Sequence, residues 1–245
     1  MNILRKTILV LLVFITLLLV VFFVYVSNYY KAVDVTDYLT TNDDVTISVD
    51  SDNLWFVPTN EDNIQEEAFV FYPGGLVETK AYAPIMYNLA KEGYVSVIID
   101  MPFKLAMFNS NGANEALSNS KYSDKEWYIG GHSLGGAFAA RYYSKHSSSL
   151  NGLVLLASYS TYDLSNLDNS NVLSIYGSLD NVLNKDNYEK YKSNLPSNYI
   201  EYVIEGGNHG QFGSYGLQSG DNEATITANS QWTLTSNYII EFMES

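Results

Sequence analysis

The sequence predicts an α/β protein: a mostly parallel central sheet of about eight strands, helices on both faces, and one transmembrane helix in front. Three observations carry this. Apolar runs of four to six residues alternate with amphipathic stretches from residue 68 onward. Continuous apolar strands separated by helices imply a parallel sheet buried on both sides. Before them, residues 7–26 hold no charged side chain. At about 1.5 Å per helical residue that run matches a hydrocarbon core of roughly 30 Å.

The elements follow in order. Residues 1–6 form a short cytoplasmic N-terminus and 7–27 a signal-anchor. Arg5 and Lys6 precede the run, so the N-terminus is expected inside and the remainder outside. The run exceeds the roughly 7–15 residues of a secretory signal, and Val26-Ser27-Asn28 offers a poor cleavage site. Secretion after cleavage is the alternative. Residues 28–44 are polar and read as a stalk, and 45–245 form one domain. Strands are expected at 45–49 and 53–57, joined by a short turn and hence antiparallel. Further strands fall at 68–72, 95–100, 127–129, 153–157, 172–176 and 200–204. Helices are expected at 82–92, 134–145, 187–195 and 224–243, with a loop and a short helix over 101–120.

Composition removes several functions. The chain of 245 residues carries a net charge of −14, which disfavours nucleic acid as a partner. It has no cysteine, which excludes disulfides, thiolate catalysis and Cys-based zinc sites.

The chemistry centres on Gly131-His132-Ser133-Leu134-Gly135. A serine between a strand and a helix, flanked by glycines, sits on a strained turn with its hydroxyl thrust outward. Such a hydroxyl needs a base. The histidines are His132, His146 and His209. His132 adjoins the serine, so its side chain should aim away. His146 lies at the polar end of the following helix and reads as a surface residue. His209 stands in the glycine-rich loop after the last strand, where ligands collect at the C-terminal edge of a parallel sheet. Asp180, just past the preceding strand, is the favoured acid; Asp163, Asp168 and Asp186 are less well placed. For an oxyanion hole, Leu134 N–H lies at a helix N-terminus. The second donor should come from Tyr72-Pro73-Gly74-Gly75-Leu76, with Gly75 first and Gly74 or Leu76 as alternatives.

Phe71 to Gly75, Gly130 to Gly136, Tyr176 to Asp180 and Glu205 to Gly213, in this order, resemble the α/β-hydrolase superfamily. The likeness is to small members near dienelactone hydrolases and carboxylesterases, and covers residues 66–243. It implies hydrolysis of an ester through an acyl-enzyme, without metal or cofactor, with Ser133, Asp180 and His209 catalytic. Serine stands where dienelactone hydrolases proper carry cysteine, and Pro73-Gly74 replaces the usual His-Gly of the oxyanion loop.

The loop after the fourth strand offers Phe103, Leu105, Met107 and Phe108 as a substrate pocket. With no long insertion between the sixth and seventh strands, an open site for small or soluble esters is expected. Two other readings remain: an acyltransferase or amidase on cell-envelope material, and a non-catalytic surface binding protein on a hydrolase scaffold.

Overall fold

A computed structural model describes residues 3–167 and 171–245. Its eight strands are β1 (Val45–Asp50), β2 (Asn53–Pro58), β3 (Glu67–Tyr72), β4 (Val95–Ile98), β5 (Glu126–His132), β6 (Gly152–Leu156), β7 (Val172–Gly177) and β8 (Ile200–Ile204). They form one sheet in the order β1-β2-β4-β3-β5-β6-β7-β8. β1 and β2 form the expected hairpin, and β2 also runs antiparallel to β4. Every other pairing is parallel. The C-terminal ends of β3 to β8 therefore share one edge, and their following loops crowd together there.

Alternation along the strands splits the core. On β3, Phe69 and Phe71 face one side while Ala68, Val70 and Tyr72 face the other. On β6, Val154 and Leu156 oppose Leu153 and Leu155 in the same way. This is the two-residue period of a strand buried on both faces. Helices α2 (Ala83–Lys91) and α6 (Ala228–Met243) cover the first side through Ile85, Met86, Leu89, Trp232 and Ile239. Helices α3 (Ala113–Leu117) and α4 (Leu134–His146) cover the second through Ala113, Ala116, Ala139 and Ala140. Small residues on α4 let it lie close against the strands. Helix α5 (Lys185–Tyr191) follows β7.

Boundaries shift where a cap decides them. α6 begins at 228 rather than 224 because the Thr227 side chain accepts from Ser230 N–H at 3.1 Å. α5 begins at 185 rather than 187 because Asn184 accepts from Asn187 N–H at 2.9 Å.

Helix α1 (Ile3–Ser27) is long and apolar enough to cross a membrane. The segment expected as a stalk is bound to the domain. Tyr30 pairs with Val77 as an isolated bridge, its N–H donating to Leu76 O at 2.8 Å and its carbonyl accepting from Glu78 N–H at 2.9 Å. Val33 N–H donates to Ser214 O at 2.8 Å.

Leu89 is fully buried between α2 and the sheet. Leu89→Ala is expected to cost about 2–5 kcal/mol through the cavity it leaves, read as a lowered thermal midpoint of the detergent-solubilised chain.

Candidate active site

Ser133 is the hinge between β5 and α4. Its φ of 52° and ψ of −120° belong to neither element. A non-glycine residue holds that conformation only where its surroundings impose it. Here Ser133 N–H continues the β5–β6 ladder onto Leu156 O at 2.9 Å, and its carbonyl accepts from Ser158 Oγ at 2.8 Å. Gly135 explains the motif's spacing. A Cβ there would come within 2.2 Å of the Tyr72 and Pro73 carbonyl oxygens. Only glycine lets α4 start flush against the loop after β3.

That closeness brings two backbone segments together. A Cβ on Gly75 would lie 2.8 Å from Leu134 Cδ2. Leu134 N–H, the first of α4, has no partner within the helix. In the neighbouring turn, Gly74 N–H donates to Tyr82 Oη at 3.0 Å and Leu76 N–H to Lys104 O at 2.8 Å. Both alternative donors are thus engaged, while Gly75 N–H, among the described residues, has no hydrogen-bond partner.

Asp180 and His209 meet across the loops after β7 and β8. His209 Nδ1 lies 2.9 Å from Asp180 Oδ2, and both residues are buried. A carboxylate only accepts, so Nδ1 donates to it; in the neutral imidazole Nε2 then keeps its lone pair. Asp180 Oδ1 accepts from Val182 N–H at 2.9 Å and Leu183 N–H at 2.8 Å, which fixes the carboxylate's plane. Leu179 N–H donates to Gly207 O at 2.9 Å, tying the acid loop to the histidine loop. Asp221 bridges them as well, accepting from Gly210 N–H at 2.8 Å and Asn181 N–H at 3.1 Å. Below, Gln231 of α6 brackets Asn208, accepting from its N–H at 3.1 Å and donating to its carbonyl at 2.8 Å. His209 Nε2 is shielded and has no hydrogen-bond partner.

Ser133 and His209 line one cavity of about 350 Å³, with Leu134, Tyr159, Thr161, Val182 and Leu183. Phe103, Leu105, Met107 and Phe108 are not among its lining residues. Leu105 is buried, and the other three are exposed on a separate surface. Asp163 accepts from Ser165 N–H and Oγ, which lowers its pKa. Asp186 sits in the first turn of α5, and Asp168 lies outside the described residues. His146 stacks on Tyr142 at 4.1 Å, partly buried at the end of α4.

The sequence gives no sign of what His132 does. It is buried, its ring 4.4 Å from that of His209. Its Nδ1 lies 2.9 Å from Tyr82 Oη, the same oxygen that accepts from Gly74 N–H. His132 is held neutral by its burial, and its Nδ1 meets that oxygen as donor or acceptor according to tautomer. Burial, then repulsion from His209, hold its pKa well below the ordinary imidazole value, against a contact with the His209 backbone that acts the other way. Burial also pushes the Tyr82 phenol up, keeping it protonated. A chain Gly74–Tyr82–His132 thus runs from the loop after β3 to the imidazole of His209. Its parts are 50 residues apart in sequence, too far for any local pattern to reveal.

Comparison with known proteins fits this architecture. Residues 68–233 match the model of the alpha/beta hydrolase family, and the chain belongs to that family. Among solved structures it is similar to Est1E from Butyrivibrio proteoclasticus, at 11% identity and a TM-score of 0.59 over 82% of this chain and 100% of that one. A CIB-like hydrolase from Thermoplasma acidophilum is similar at 14% identity and a TM-score of 0.56, over 80% and 98% respectively. No curated protein matches the sequence at a significant level.

The depressed His132 pKa has a sign. The folded state binds this proton less readily than the unfolded chain, so the contribution is whole above about pH 6.5 and is lost as pH falls below it. The unfolding free energy should therefore fall on acidification with a slope reaching about 1.4 kcal/mol per pH unit from this one group, read as a falling thermal midpoint. His132→Asn should flatten that acid limb relative to wild type, whatever it costs at neutral pH.

Proposed function

We propose that the protein is a serine hydrolase of the carboxylesterase type, acting on small or soluble esters. The observation that carries this is one shared cavity. It is lined by Ser133 on its strained turn and by His209, whose Nδ1 is committed to Asp180 and whose Nε2 is free to take a proton. In this reading Ser133 Oγ attacks the ester carbonyl while His209 Nε2 accepts the hydroxyl proton. Asp180 keeps the imidazole in its productive tautomer and offsets its charge. The tetrahedral oxyanion takes hydrogen bonds from Leu134 and Gly75 N–H, reinforced by the N-terminus of α4. Collapse expels the alcohol with the proton from His209. Water, deprotonated by the same nitrogen, then releases the acid and regenerates Ser133.

The cavity volume of about 350 Å³ lies near the low end for ligand sites, which supports small acyl groups. One structure of Est1E holds ferulic acid, so a phenolic ester belongs in the first substrate panel. We further propose that α1 stays attached as a membrane anchor, with the N-terminus cytoplasmic and the domain outside.

A fluorophosphonate probe should label the wild-type chain and not Ser133→Ala, with labelling strongly slowed in His209→Ala. Undiminished labelling of Ser133→Ala would end this reading. Asp180→Asn should lower kcat by a factor on the order of 10³–10⁴ with little change in KM, as removal of the orienting acid does in serine hydrolases. An equal rise in KM alone would assign Asp180 to binding.

A further inference from the structure

Phe103, Met107 and Phe108 are 43%, 55% and 48% exposed. They project from the loop after β4, and the domain does not cover them. The backbone is strained to present them: Phe103 and Lys104 both adopt the left-handed conformation, at φ 57° and 59°. Two consecutive non-glycine residues there are costly. The loop is nevertheless held firmly. Lys104 N–H donates to Met101 O at 2.8 Å, its carbonyl accepts from Leu76 N–H at 2.8 Å, and its Nζ pairs with Asp100 at 3.0 Å.

What these side chains touch is α1. The Phe103 ring lies 5.3 Å from that of Phe22 and 6.1 Å from that of Phe23; Phe108 lies 5.9 Å from Phe22 and 5.3 Å from Phe103. The apolar run ends at Val26, four residues beyond Phe22. At about 1.5 Å per residue, Phe22 lies roughly 6 Å inside that end. Side chains packed on Phe22 share its depth. If α1 spans a bilayer, Phe103 and Phe108 lie within the boundary layer at its outer face.

We infer that Phe103, Met107 and Phe108 form an apolar collar seated in the lipid bilayer around the outer end of α1. The occupant is lipid: the surface is continuous with a helix whose apolar side chains are exposed from Leu4 to Val21. A net charge of −14 selects neutral lipid over anionic headgroups. The collar also sets orientation. Lys104 of the collar and Tyr30, just past α1, both hydrogen-bond to Leu76 beside Gly75. The C-terminal edge of the sheet, with Ser133 and His209, thereby faces the bilayer. This inference rests on the anchor reading of α1 and not on the hydrolase reading.

The absence of cysteine makes site-directed spin labelling direct. Met107→Cys, Phe108→Cys, Ile15→Cys and Ser148→Cys would each be labelled in the full chain, reconstituted in phosphatidylcholine vesicles. Collisions with oxygen, which concentrates in lipid, are compared with collisions with a water-soluble nickel chelate. Ile15 lies mid-helix and Ser148 at the opposite end of the sheet. The collar is supported when Met107 and Phe108 show an oxygen-to-nickel ratio severalfold above that of Ser148 and approaching that of Ile15. A water-like ratio at both, with Ile15 in lipid, overturns it. Loss of Ile15 from the mature chain removes the anchor and overturns it too. Dipolar broadening at Met107 that grows with protein-to-lipid ratio would put a second copy there and overturn the lipid assignment. None of these readouts depends on catalysis.

Discussion

Everything at the C-terminal edge depends on how closely α4 approaches the loop after β3. The contact is backbone on backbone: Gly135 against the carbonyls of Tyr72 and Pro73. A methyl group there would force the helix outward. With the helix seated, Ser133 has no route from strand to helix except its positive-φ turn. Seating the helix also sets Leu134 against Gly75, so one close approach determines both the attitude of the serine and the spacing of two unpaired amides. Backbone packing of this kind tolerates little adjustment, because interiors are filled to crystal-like density.

Around that contact the remaining groups are held by hydrogen bonds that leave few alternatives. Asp180 uses one oxygen on two backbone amides and the other on His209. Asp221 and Gln231 fix the loops on either side. Tyr82 does the same for Gly74, and its hydroxyl also bonds His132. Keeping His132 neutral matters because its ring lies beside that of His209. A second positive charge there would oppose protonation of the neighbouring imidazole. In a low-dielectric interior such hydrogen bonds are stronger than in water, and they rigidify the loops they join.

Much of the fold was legible in the sequence because its signals are local. Apolar runs, their alternation with helical stretches, and the hairpin turn at residues 50–53 all act within a few residues of one another. The glycines around Ser133 were readable as a local pattern, although what requires Gly135 is the pair of carbonyls of Tyr72 and Pro73, far upstream. Other features were not. The Tyr82–His132 bond and the Asp221 bridge join residues far apart in sequence, and a tyrosine or aspartate in a loop carries no mark of its partner. The loop at 101–108 misled because apolar residues near a catalytic edge suggest a pocket. Only three-dimensional packing turns Phe103 and Phe108 toward Phe22 instead. The polar stretch 28–44 read as a stalk because its ties to the domain, through the Tyr30 and Val33 backbone and the Tyr38 ring, join residues far apart in sequence.

The bridge at Tyr30 has a geometric corollary. Helix α1 ends at Ser27 and the first hydrogen bond to the domain is made by Tyr30. Three residue steps, fully extended, span at most about 11 Å. The chain is a leash of that length, clipped to the turn that carries Gly75. Whatever medium holds the end of α1, the Gly75 turn samples only a thin shell beside it, so a molecule must come to that shell to be met at all.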